Sequence, residues 1–356
     1  MSPKPRAALR THLDDFVVDE LPAYEASGSG EHLFVTVRKR GVNTLDVLGG
    51  FAAALGVDAR ASGFAGMKDR HAVATQTFSF PFPLQRAESD ARAVSLPGVE
   101  VLDVRRHGNK LKPGHLLGNR FTVTLRGIDA ASLDDVAARL AALASGVPNA
   151  FGPQRFGRDG DNPERALAWL GGRERGPRDR REQRLLFSAL QALLFNEVLA
   201  ERRARGDWDR PLAGDLVKKR DTGGLFLCTD AVADGERAAR GEVSPTGPLF
   251  GAKMRPAEGE PGEVERQILA RHVDAAEAFE RHRALGEGTR RSLRLVPDAL
   301  RVDRLADDPS GLRTEFVLPK GAYATTLLGE VVTLDDLSGR PRQAPDDPPQ
   351  QDDGDG

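Results

Sequence analysis

The sequence predicts a mixed α/β (α+β) fold, in which a domain built on a mixed or antiparallel sheet is interrupted by a helix-rich insertion. Three observations predict it. Runs with strand-like alternation crowd the first ~145 residues and return only after about residue 289. The stretch between them carries the helical period instead. At 356 residues the chain is also long for a single core. The expected organisation is a first part of the α/β domain at 1–146, the insertion at 147–288 and completing strands at 289–333. From Leu334 to Gly356, Pro, Gln, Asp and Gly dominate, so an acidic, disordered tail is expected there.

The elements follow in order. FVVDEL (16–21) and HLFVTVRKR (32–40) read as strands, the second alternating Leu33, Val35 and Val37 against Phe34, Thr36 and Arg38. Asn43 or Thr44 caps a helix whose apolar face is Leu45, Leu48, Phe51, Ala52 and Leu55, and Gly56 ends it. GFAGMKDRHAVATQTFSF (63–80) begins as a charged loop and ends as a strand. GVEVLDVRRH (98–107) and GNRFTVTLRG (118–127) are two more strands, with Phe121, Val123 and Leu125 on one face. Ser132 opens a helix with the stripe Leu133, Val136, Leu140 and Leu143. In the insertion, QRLLFSALQALLFNEVLAER (183–202) is apolar over most of its circumference and predicts a buried helix. EVERQILARHVDAAEAFERHRAL (263–285) predicts a longer amphipathic one, and SPTGPLFG (244–251) a Pro/Gly loop. RSLRLVP, ALRVDRL and LRTEFVLP are the returning strands.

Composition excludes several classes. No apolar run approaches the roughly 18–20 residues of a membrane span, and the N-terminus has no signal-peptide core. Cys228 is the only cysteine, so no intrachain disulfide can form, and a cytoplasmic protein is expected. The seven histidines show no metal-ligand spacing, and there is no Walker loop, dinucleotide fingerprint or G-x-S-x-G; neither metal nor cofactor is expected. The net charge of −2 hides an asymmetry: the segment from Leu334 carries seven Asp against Arg340 and Arg342, leaving the remainder at +3. Only nine of the 51 basic residues are Lys, and Arg is the side chain that binds phosphate as a fork and stacks on bases.

Between Asp103 and Asp129 lie 25 residues with no acid, among them Arg105, Arg106, Lys110, Lys112, Arg120 and Arg126. Such a run is either a solvated face or an attractive surface for a polyanion, and phosphate contact by Arg105, Arg106, Lys110 and Lys112 is the expectation drawn here. In Lys68-Asp69-Arg70-His71, the carboxylate is either a solvated loop residue or an acid kept ionised by its cationic neighbours for chemistry. NAFGPQRFGRDGDN (149–162) sets two Phe-Gly pairs around Gln154 and Arg155, suited to a flat partner.

Taken together, DDFVVDE (14–20), GEHLFVTVRKRGVNT (30–44), FAGMKDRHAVATQ (64–76), KLKPGHLLGNRFTVTLR (110–126), VPNAFGPQRFGRDGDN (147–162) and LPKGAYATTLLGE (318–330) resemble, in this order, the motifs of the tRNA pseudouridine synthase D (TruD) family. The resemblance runs from about Arg10 to Glu330 and is weakest at 205–285. It implies a pseudouridine-synthase catalytic domain interrupted by a TRUD domain, and an isomerase that converts uridine to pseudouridine in RNA without cofactor or metal. The family's typical bacterial target is uridine 13 of tRNA. By position, Asp69 is the implied catalytic aspartate, while Phe16, Asn119 and Tyr323 line the uridine pocket with Phe121 close by. Some family members have Phe where Tyr323 stands. The chain lacks the G-R-L-D motif of other pseudouridine synthases and with it the arginine that partners the aspartate. Arg10 and Lys68 are the candidates for an active-site cation or a phosphate contact. Two other readings stay open on the residues alone: the same chemistry on rRNA or mRNA, and an RNA-binding protein without catalysis. A monomer is expected.

Overall fold

The computed structural model describes residues 3–83, 88–157 and 159–338. The first part of the chain supplies β1 (Arg6–Leu9), β2 (Phe16–Pro22), β3 (His32–Arg40), α1 (Thr44–Leu55), β4 (Gly63–Phe64), β5 (Val73–Pro81), α2 (Ser89–Arg92), β6 (Val99–His107), β7 (Leu116–Arg126), α3 (Leu133–Ala142) and β8 (Val147–Pro148). The middle adds α4 (Asn162–Leu170), α5 (Arg180–Arg205), β9 (Leu216–Lys219), β10 (Leu225–Leu227), α6 (Ala231–Ala239), β11 (Val243–Leu249), α7 (Gly259–Arg271), α8 (Val273–Arg281) and β12 (Thr289–Ser292). The end returns as β13 (Arg294–Leu295), β14 (Asp298–Arg304), β15 (Leu312–Pro319), α9 (Ala324–Leu328) and β16 (Thr333–Asp336).

The main sheet runs β14-β15-β7-β2-β5-β3-β6, with β4 added to β5 and β1 joining β7 to β16. It is mixed: β2 lies parallel to β5 and β1 parallel to β16, and the other pairs are antiparallel. Alternation decides which side chains go inward. On β7, Phe121, Val123 and Leu125 are buried, and register places Phe121 opposite both Val18 and Phe316. The Phe121 and Phe316 rings stack at 5.5 Å, and Phe16 meets Phe121 edge-on at 6.1 Å, an arrangement that adds to plain area burial. Helix α3 and the short α9 close this half of the core through Leu133, Val136, Leu140, Leu327 and Leu328. Helix α1 covers the other half, packing Val47, Phe51 and Leu55 on Leu33, Val35, Phe78 and Phe80. Gly56 ends α1 at φ 63°, the left-handed position that a side chain disfavours. Leu45 is exposed and Val47 is buried instead, because the face turned to the core runs through Thr44, Val47, Leu48, Phe51, Ala52 and Leu55.

Three sequence expectations are corrected in the middle and at the end. SPTGPLFG is not a loop: Val243–Leu249 is a strand of a four-stranded sheet ordered β10-β9-β11-β12. Proline's fixed φ is compatible with extended backbone, and β11 changes partner midway, from β9 at Val243–Pro245 to β12 at Thr246–Leu249. The middle segment is therefore helices packed with a sheet. The long helix expected over 263–285 breaks at His272, which leaves helical geometry to bring its Nε2 within 2.9 Å of Glu197 on α5. Finally, Leu334, Asp335 and Asp336 belong to β16, parallel to β1, instead of beginning a disordered tail. Arg6 holds Asp335 at 2.6 Å. The tail expectation for 339–356 lies outside the described residues.

The middle segment leaves and rejoins the main sheet at one place. Val147 and Pro148 on β8 pair with Leu295 and Arg294 on β13, so its two connections form a ribbon. Among the described residues, no helix is long and apolar enough to cross a membrane.

Ending the chain at Val332 removes the β16 ladder and the packing of Leu334. Compared with a chain ending at Ser338, it should lose about 2–4 kcal/mol of unfolding free energy in denaturant melts.

Candidate active site

Strand β5 and its antiparallel partner β4 hold the loop that carries Asp69 between them. Gly63 is required where β4 passes the backbone of Leu111: a Cβ there would lie 2.1 Å from the Leu111 carbonyl. The loop is tied from behind by three side chains. The Thr44 hydroxyl, at the start of α1, accepts from the Lys68 N–H at 3.0 Å and donates to Gln76 Oε1 at 3.1 Å. The Gln76 amide in turn donates to the Gly66 carbonyl. Lys39, fully buried on β3, donates to the carbonyls of Val42 at 2.8 Å and Asp69 at 2.7 Å, with Lys68 O at 3.4 Å. Burial pushes the Lys39 ammonium down to about 8.

These anchors sort the charged run. Lys68 turns inward and meets Glu20 of β2 at 2.6 Å, both side chains being 4% exposed. Arg70 lies at the surface and reaches the Gly41 carbonyl. Asp69 points the other way, 58% exposed, and pairs with Arg10 Nη2 at 2.8 Å. Arg10 itself is only 6% exposed. Its second terminal nitrogen meets Asp336, and its guanidinium carbon lies 4.1 Å from the Phe16 ring centroid. Arg10 thus supplies the cation beside Asp69, while its charge is committed to two carboxylates and not offered to phosphate. Lys68 is likewise committed, to Glu20.

Asp69, Arg10, Lys68, Phe16, Phe121, Asn119 and Tyr323 all line one cavity of about 580 Å³. Phe16 and Phe121 reach it from strands β2 and β7, where both are largely core. Tyr323, half-buried, stands at the start of α9 in the turn after β15. Asn119 faces Leu318 across the β7–β15 ladder, and its Oδ1 is buried with no hydrogen-bond partner among the described residues. An amide oxygen desolvated without a partner costs on the order of 1–3 kcal/mol, and a ligand N–H placed there would remove that cost. The Tyr323 turn is fixed from the middle segment: Arg291 on β12 donates to the Gly321 carbonyl at 3.2 Å and to the Asn149 carbonyl at 3.1 Å.

The other basic residues expected from the sequence, Arg105, Arg106, Lys110 and Lys112, do not line this cavity. Arg105 pairs with Asp103 at 2.7 Å on the exposed face of β6. Arg106 is buried, donating to the carbonyls of Gly30 and Phe82, so the expectation that it meets phosphate is corrected: its guanidinium is spent on the fold. Lys110 and Lys112 border a neighbouring cavity. Sequence reasoning missed Glu20, Lys39 and Asp336. Glu20 and Lys39 sit in DDFVVDE and FVTVRKR, where an acid and a lysine on otherwise alternating strands are the available signal; Asp336 followed VVTL, a β-branched run passed over for the acids after it.

The model of the family described as tRNA pseudouridine synthase D (TruD) matches residues 3–163 and 179–331. A protein named tRNA pseudouridine synthase D from Anaeromyxobacter dehalogenans (strain 2CP-C) is 48% identical over 334 residues, covering 92% of this chain and 93% of the relative. One of the same name from Thermus thermophilus is 42% identical over 349 residues, covering 95% and 92%. The crystal structure of a tRNA pseudouridine synthase D candidate from Methanosarcina mazei superposes with a TM-score of 0.70 at 24% identity, covering 92% of this chain and 94% of that one, a likeness of fold.

Lys39 sets a pH signature. Between about 8 and its ordinary value of 10.5, the unfolded chain holds a proton that the folded chain lacks, so this residue's contribution to stability rises with pH across that window. Relative to Lys39→Met, the unfolding free energy of the wild type should therefore gain roughly 3 kcal/mol between those pH values. Denaturant melts at about pH 7.5 and pH 10.5 measure it, and parallel curves for the two proteins would refute it.

Proposed function

The chain belongs to the tRNA pseudouridine synthase D family, and on that premise we propose that it isomerises uridine to pseudouridine in tRNA, at uridine 13, acting as a cytoplasmic monomer. The observation that carries the reading is the content of one cavity. A carboxylate ion-paired to a buried arginine shares it with an unsatisfied amide oxygen and three aromatic rings.

Each part meets a requirement of the reaction. The base must leave its stack, at a cost of a few kcal/mol, and a ring in the pocket returns roughly 1–3 kcal/mol of stacking. Tyr323, the least buried of the three rings, is the one best placed to take a base face. Asn119 Oδ1 is an acceptor suited to the uracil N3–H. The isomerisation then breaks the bond from ribose C1′ to N1, turns the base and joins C1′ to C5. The proton displaced from C5 is matched by one gained at N1, so no atoms are lost and no co-reactant is needed.

Two routes are open to Asp69: attack on the substrate as a nucleophile, or removal of a ribose proton that lets the base depart. Both need one carboxylate oxygen free of Arg10, and the single contact through Oδ2 leaves Oδ1 free among the described residues. Asp336 matters here, because it keeps one end of the guanidinium and limits how much of it Asp69 can engage.

Asp69→Asn should lower pseudouridine formation on tRNA by at least about 10³-fold while RNA affinity stays within several-fold; retained turnover would remove Asp69 from the mechanism. Asp336→Asn should reduce kcat about 3- to 30-fold with KM little changed, because Arg10 then closes bidentately on Asp69. Single-turnover assays on a tRNA carrying uridine 13, and on the same tRNA with cytidine there, check both the catalyst and the position.

A further inference from the structure

A second cavity, of about 650 Å³, opens between the connection from β2 to β3 and the connection from β6 to β7. Its wall is aromatic. Tyr24, one of two tyrosines in the chain, lies nearly parallel to His107, with centroids 5.2 Å apart and planes 20° apart. His107 packs in turn on the buried Phe34 at 4.5 Å, and its Nδ1 accepts from the Ser27 N–H. The Tyr24 hydroxyl is bonded to His115 Nδ1 at 2.7 Å, and the two rings meet edge-on. The tyrosine is therefore fixed at both ends, yet it remains among the exposed large apolar residues of the surface. Lys110 and Lys112 stand at the same rim; Lys112 is exposed, and Lys110 spends one N–H on the Arg60 carbonyl.

Nothing in the reaction at Asp69 uses these rings. A fixed, exposed aromatic ring beside lysines is the arrangement that holds an unpaired nucleotide: the ring takes a base face and the ammonium takes phosphate. Location narrows the ligand further. His115 lines this cavity, while its neighbours Gly114 and Leu116 line the catalytic one, so a single loop separates the two. We propose that Tyr24, His107 and His115 form a stacking subsite for a nucleotide adjacent in sequence to the extruded uridine, with its phosphate on Lys112. The subsite rests on the reading of the chain as an enzyme acting on RNA and deepens it. It gives the displaced neighbour of the target a place to stack, and it makes recognition depend on an unpaired base beside the target.

The test uses the full chain and a tRNA substrate. Tyr24→Ala should raise KM and tRNA Kd roughly 5- to 100-fold, and Tyr24→Phe should restore most of the loss because the ring survives. An abasic nucleotide at one position flanking the target should cost the wild type a similar factor and cost Tyr24→Ala almost nothing further. Thermal melts separate this from misfolding, and Lys112→Ala, at an exposed position, should weaken binding and lessen its salt dependence. Binding measured in an Asp69→Asn background reads the subsite without turnover. Unchanged affinity on loss of Tyr24, or abasic losses that simply add to it at every flanking position, would overturn the subsite and leave the isomerase reading intact. A wild type that binds tRNA in a Tyr24-dependent way without converting uridine would do the reverse.

Discussion

A buried guanidinium between two carboxylates organises this molecule. Arg10 is taken out of water, and the effective penalty for desolvating such an ion is several kcal/mol unless its partners are well placed. Its partners come from far along the chain: Asp69 lies 59 positions away and Asp336 lies 326 away. The parallel pairing of β1 with β16 sets Leu9 opposite Asp336, which delivers the second carboxylate next to Arg10. Arg10 has a positive φ of 61°, unusual for a residue with a side chain and of order 1–3 kcal/mol unfavourable, and the ion pairs and the Phe16 ring are what hold it there. The Asp69–Arg10–Asp336 arrangement is therefore completed only when both ends of the main sheet are assembled.

The carboxylate is aimed by a second buried cation acting on backbone alone. Lys39 gathers three carbonyls, including that of Asp69 itself, while the side chain of Asp69 turns outward to the cleft. Fixing the main chain from the core side leaves the carboxylate facing the solvent side, where it meets Arg10. The Lys68–Glu20 pair works to the same end. It ties to Glu20 a positive charge of the cavity wall that would otherwise compete with Arg10 for Asp69.

The strands were legible because alternation is a local property: Leu33, Val35 and Val37, or Phe121, Val123 and Leu125, are buried as their spacing requires. The pocket residues were legible through motifs in order, and the cleft gathers Asp69, Asn119, Phe16, Phe121 and Tyr323. Charge was the unreadable quantity. Counting Lys and Arg between Asp103 and Asp129 could not separate Lys112, which faces water, from Arg106, which fills its bonds with carbonyls of residues 76 and 24 positions away. Pairing of this kind is decided by the tertiary fold. The same is true of β11, whose Pro and Gly residues signal a turn locally while both flanking strands hold it extended, and of Asp336, whose place follows from β1.

The aromatic side of the cleft depends on the middle segment as firmly as the acidic side depends on the chain's ends. Arg291 is half-buried against the rings of Phe151 and Phe195, and desolvation lowers its guanidinium to about 10. From there it grips Asn149, beside the β8–β13 ribbon, and the Gly321 carbonyl two residues before Tyr323. A shift of the middle segment about that ribbon would carry Asn149 and β12 together, and with them the Tyr323 turn. Docking of a large RNA across the middle segment and the main sheet would thus be felt at the Tyr323 ring. The connection to the middle segment and the placement of the Tyr323 side of the cavity share one set of hydrogen bonds.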